Sequence, residues 1–155
     1  MYNKILVPLD GSPLAECVLP HAEAIAKGCA AKNVVFLRIV EPFYMTGGEE
    51  VTAFSVDIME RANVERQKAA EKYLAELVAR LKFDGVNVDW KAYIGRPADE
   101  IIEYCRKNAF DLICIATHGR SGVSRWVWGS VADKVLRAAC TPVLMVRPKD
   151  CIPGY

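Results

Sequence analysis

The stretch from Asp111 to Ser130, DLICIATHGRSGVSRWVWGS, constrains this chain more than any other. It opens with an unbroken apolar run, Leu112 to Ala116. A short run without alternation suits a strand covered on both faces, as in a parallel sheet. A small basic loop follows, with Thr117, His118, Gly119, Arg120, Ser121 and Gly122. Gly129-Ser130 then leads into a helical pattern from Val131 to Ala139. Glycines let the backbone come close to a ligand, and the N–H groups of a helix's first turn have no intrahelical partner. Strand, glycine loop and helix start together predict a cradle for an anion, with the phosphates of a nucleotide as the expected occupant.

The remaining segments alternate in type. Lys4 to Leu9 reads as a buried strand whose ladder ends about Pro8, which has no N–H. Asp10-Gly11-Ser12 is a turn, with Ser12 as N-cap and Pro13 at the first helical position. The helix that follows carries Leu14, Val18, His21, Ala22 and Ile25 on one stripe; Pro20 predicts a kink or the local loss of one helix bond, and Gly28 its end. His21, on that apolar stripe, is expected in the core or at an interface. Asn33 to Val40 is a second strand, interrupted only by Arg38. The span from Glu41 to about Val56 has no period and predicts a mobile loop. Asp57 to Leu81 has helical spacing. Val86, Val88, Trp90 and Ala92 alternate with polar residues, the mark of a half-exposed edge strand. A helix from about Ala98 to Lys107 begins at Pro97, and Val143 to Val146 forms the last strand after Pro142. The order βαβαβαβαβ predicts a parallel sheet with helices on both faces and a ligand beyond the carboxyl ends of its strands.

Length and charge narrow the function. A chain of 155 residues predicts one domain, here 1–148, with 149–155 as a tail. A net charge of +1 offers no electrostatic case for nucleic acid or an acidic membrane surface, and no apolar run approaches a membrane span. Six cysteines occur without a CxxC pair, mostly among apolar neighbours, so buried free thiols are expected. A cytoplasmic protein is the expectation.

The segments VPLDGS, ATHGRSGVSRWVWGSVADKVLR and TPVLMVRP resemble the universal stress protein family, single-domain nucleotide-binding type. That family's motif runs Gly, two residues, Gly, nine residues, then Gly-Ser or Gly-Thr. Gly119, nine residues and Gly129-Ser130 match it, whereas Ala116 stands where the motif has its first Gly. A position of positive φ would tolerate that methyl poorly. The resemblance implies an α/β fold, Rossmann-like and of the adenine nucleotide alpha hydrolase type, with strand order 3-2-1-4-5. It implies ATP or AMP as ligand, with magnesium allowed as a bridge between phosphates. By the same similarity Pro8, Leu9 and Asp10 lie at the ribose end and Ile39 offers its backbone near the adenine. Gly119, Gly129, Ser130 and Val131 would cradle the phosphates, Ala116 bears on the ribose-side contacts, and Thr117, Arg120 and Gly122 complete the nucleotide-binding set. It also implies a homodimer paired through Val143–Val146 and a regulatory role in the stress response.

Competing readings stay open at this stage. Asp10 could contact ribose or metal, or simply form an Asx-turn ahead of Ser12. Gly119 and Gly122 could serve only a tight turn, and Ser130 could be only an N-cap. Arg120 and Arg125 could reach phosphate or lie in solvent. His118 has no Ser or Cys partner at a diagnostic spacing, so no catalytic residue is assigned. Trp126 and Trp128, two apart, cannot both face inward from one helix. No GxxxxGK[ST] loop occurs, so nucleotide binding is favoured over a slow ATPase or a dimeric module without nucleotide.

Overall fold

In a computed structural model, residues 1–44, 53–117 and 129–148 are described. They form β1 (Lys4–Pro8), a 3-10 segment (Ala15–Val18), α1 (Leu19–Cys29), β2 (Asn33–Val40), α2 (Ala53–Arg80), β3 (Asn87–Ile94), α3 (Pro97–Lys107), β4 (Leu112–Ala116), α4 (Ser130–Ala138) and β5 (Val143–Val146). The strands make one parallel sheet in the order β3-β2-β1-β4-β5. This is the expected order, and it reverses direction between β1 and β4.

The apolar runs explain the two faces. Successive strand residues point to opposite sides, so β2 sends Val34 and Phe36 one way and Val35 and Leu37 the other. The first set packs with Ala22 and Ala26 of α1 and Ala70, Leu74 and Leu77 of α2. The second packs with Ala98, Ile101 and Cys105 of α3 and Ala132 and Val135 of α4. β3 sits at the edge, and its exposed and half-buried residues alternate, as the sequence predicts.

Several local expectations are corrected. Pro20 does not lie inside α1: a 3-10 segment precedes the helix and Pro20 is its second residue, where the missing N–H costs no bond within the α-helix. Gly28 does not end α1. The helix runs to Cys29 and closes on Ala30, left-handed at φ 52 and ψ 45, while Ala31 N–H reaches back to the Ala26 carbonyl at 2.8 Å. Burial of Ala31 in the core stabilises this Schellman closure against the cost of a left-handed alanine. His21 is exposed in the single chain and so is not a core residue; the buried stripe is Val18, Ala22 and Ala26. Cys105 and Cys114 are buried free thiols, but Cys140 is exposed, and Cys151 lies outside the described residues. α2 starts at Ala53, inside the span expected to be loop; 45–52 lie outside the described residues, as do the tail 149–155 and His118, Gly119, Arg120, Gly122, Arg125, Trp126 and Trp128.

Candidate functional site

A cavity of about 510 Å³ opens at the carboxyl ends of β1, β2 and β4, where the strand order reverses. Four separate segments bring the predicted residues to it: Pro8, Leu9 and Asp10; Ile39; Ala116 and Thr117; and Gly129, Ser130 and Val131 all line its wall. Arg38, Glu41, Arg66, Ala69, Pro97 and Ile101 line it too. Sequence reasoning did not assign these. Arg38 carried a signal, a charge inside an apolar strand. Arg66 carried none, since it looks like any solvated position on α2.

The exit of β1 is held by its own side chains. Asp10 Oδ1 accepts hydrogen bonds from the Ser12 backbone N–H at 2.9 Å and the Ser12 hydroxyl at 2.7 Å. Ser12 Oγ in turn accepts from Ala15 N–H at 3.1 Å. Asp10 therefore forms the Asx-turn, and the same half-buried residue stands on the cavity wall. Gly11 has φ +82, a conformation that disfavours any side chain.

Strand parity explains Ile39. Leu9 N–H bonds the Leu37 carbonyl at 2.8 Å, and Gly95 N–H bonds the Val40 carbonyl at 2.9 Å. In a parallel ladder alternate residues bond opposite neighbours. Odd residues of β2 thus face β1, even ones β3, and the Ile39 peptide groups face the side where β1 has ended.

At the exit of β4, Ala116 is a strand residue paired with Val146 and has no positive φ, so the methyl meets no backbone penalty. Thr117 is the buried polar side chain among the described residues, at 2 % exposure. Its N–H donates to the Val146 carbonyl at 2.9 Å and its carbonyl accepts from Gly129 N–H at 2.8 Å. Gly129 is the N-cap of α4 and offers no side-chain cap; Ser130 is the first helical residue rather than the cap. The Gly129 amide is committed to Thr117, so the donors a helix start leaves over are those of Ser130, Val131 and Ala132. The positive end of the helix dipole lies at the same place.

On the α2 side, Tyr73 donates to Glu16 Oε1 at 3.0 Å, and Arg80 pairs with the same carboxylate. Burial, followed by that hydrogen bond, pushes the Tyr73 hydroxyl well above its ordinary value. Arg66 Nη1 donates to the Glu41 carbonyl at 3.1 Å.

The family model described as Universal stress protein family matches residues 1–147. The chain belongs to the universal stress protein family. Among its relatives, universal stress protein MJ0531 of Methanocaldococcus jannaschii is 32% identical over 148 residues, 95% of this chain and 83% of that protein. The solved structure of MJ0577, from the same organism, superposes with a TM-score of 0.73 at 28% identity, covering 97% of this chain and 99% of that one. A universal stress protein family protein of Arabidopsis thaliana, solved with AMP bound, has a TM-score of 0.60 at 14% identity, covering 96% and 93%; it shares the fold. The universal stress protein sheet, with its order reversal between two central strands, is thus the frame on which this chain builds the cavity.

Proposed function

We propose that this universal stress protein binds an adenine nucleotide, ATP or AMP, as a regulatory ligand. The observation that carries the reading is the convergence of four distant segments on one cavity at the switch point, with an uncapped helix start on its wall. Asp10 would accept from a ribose hydroxyl while keeping its turn. The open peptide of Ile39 would meet the base. The amides of Ser130 and Val131, with Gly119, Arg120 and Gly122 beyond the described residues, would hold the phosphates. The Arabidopsis protein's bound AMP supports the ligand class.

Backbone amides hold ground state and transition state alike, which favours binding over turnover. A magnesium ion bridging the phosphates would rest mainly on phosphate and water oxygens; Asp10 and Glu41 are the carboxylates among the described lining residues. Among the described residues of the chain no helix is long and apolar enough to cross a membrane. Mass spectrometry of small molecules released from denatured, freshly purified protein tests the ligand, with calorimetric titration of ATP and AMP as its quantitative arm. Adenine nucleotide should be released or bind; failure of both sinks the reading.

The homodimer is also proposed to form through β5, whose outer edge no other strand of the described sheet covers. Pro142 and Val146 carbonyls bond inward to β4, so by parity Val143 and Met145 face outward. Met145→Pro removes an outward N–H without touching the β4 ladder. Light scattering should show the monomer mass for this variant, and a surviving dimer would place the interface elsewhere.

A further inference from the structure

Arg38 is the one charged residue between Val34 and Val40, yet it lies half-buried on the cavity wall. Its placement is tightly specified. The guanidinium carbon is 5.0 Å from the centroid of the Tyr73 ring. A Cβ built on Gly11 would fall 2.5, 2.6 and 2.7 Å from Arg38 Cζ, Nη1 and Nη2. Three near-equal distances mean that the plane lies face-on to the bare Gly11 Cα. Tyr73 is itself tied to Glu16. Gly11 follows Asp10 directly, with consecutive Cα atoms about 3.8 Å apart. A flat cation, packed by an aromatic ring and a glycine, therefore stands on the cavity wall against the turn that Asp10 opens.

A ribose hydroxyl needs only an acceptor, which Asp10 supplies. In nucleotide-binding α/β sheets an acidic residue reads a free ribose hydroxyl, whereas a nearby arginine accommodates a phosphate on that sugar, because the guanidinium fork matches phosphate oxygens through two donors in fixed geometry. We propose that Arg38 is the specificity-determining residue of this cavity, selecting over AMP those adenine nucleotides that carry a second phosphate, esterified at the ribose 2′- or 3′-hydroxyl. The inference rests on the adenine-nucleotide reading of the site and adds to it an anion at the sugar, remote from the phosphates at α4.

Calorimetric titration with AMP, adenosine 2′,5′-bisphosphate and adenosine 3′,5′-bisphosphate, at one ionic strength, tests it on the wild-type chain, Arg38→Gln and Arg38→Lys. One bisphosphate should bind wild type roughly tenfold or more tighter than AMP, the scale of a charge-assisted hydrogen-bonded pair. Arg38→Gln should bring that ratio to within about twofold of unity and Arg38→Lys to an intermediate value, a point charge lacking the fork. A wild-type ratio near unity, or a preference that Arg38→Gln leaves unmoved, overturns the inference alone. Absence of binding by AMP and both bisphosphates overturns this inference, and absence of ATP binding as well overturns the nucleotide reading with it.

Discussion

β1 and β4 are neighbours that end at the same rim of the sheet, yet they hand on the chain in opposite ways. After β1 the polar groups satisfy one another: Asp10 takes two hydrogen bonds from Ser12, and Ser12 takes one from Ala15. After β4 the chain returns at Gly129 into a helix without a side-chain cap. One exit is a self-bonded wall, the other leaves donors over. A ligand would share Asp10 with the turn it already holds, whereas amides at the α4 start would gain a partner they otherwise lack within the helix. The difference assigns shape to the first exit and affinity to the second.

The largest expected effect breaks the open exit. Gly129 has φ −53 and ψ 133, which an L-residue adopts freely. Gly129→Val should therefore keep the fold while its side chain crowds the approach to the helix start. Nucleotide affinity should fall by roughly a hundredfold or more, about 2.8 kcal/mol by titration calorimetry. Unchanged affinity would move the binding site away from α4.

A smaller effect tests the closed exit. Gly11→Ala forces a side chain into a left-handed conformation and against the Arg38 guanidinium. Urea unfolding should show a loss of about 1–2 kcal/mol. No measurable loss would mean that the turn relaxes and is less rigid than its hydrogen bonds imply.

A pH series reads the buried contact between β4 and the segment that follows β1. Cys114 of β4 lies close enough to Cys17, in the segment after β1, for the two thiols to interact. Burial first, and then that neighbour, pushes the Cys114 thiol from 9.0 up to about 12. The unfolded thiol ionises first, so this contribution to stability is full below pH 9 and is lost as pH rises towards about 12. Denaturant midpoints at rising alkaline pH should fall more steeply for the wild-type chain than for Cys114→Ala. Parallel curves would show that the thiol is accessible to water.

Much of this was legible before any coordinates. β2, β4 and β5 have the ends that their apolar runs mark, since strands buried on both faces leave a continuous hydrophobic signature. The strand order came with the family resemblance and is the order found. The start of α1 was misread because Pro20 is a breaker only inside a helix, and the 3-10 segment before it set its position. Its end was misread because Gly28 carries the local signal, while packing of Ala31 decides where the chain turns. The core placement of His21 went astray by one position on the helical wheel, which no local property distinguishes.

By itself the order of residues determined the elements, their alternation, the two-sided core and the approximate address of the cavity. These follow from periodicity, glycine and proline placement and backbone valence, all local in the chain. Only the tertiary structure decided that Arg38 lies flat between Tyr73 and Gly11. It alone decided that Thr117 consumes the Gly129 amide and that Arg66 of α2 reaches the same hollow. Each of these depends on segments far apart in sequence meeting at distances of a few ångströms. Only packing of the whole sheet against its helices sets such distances.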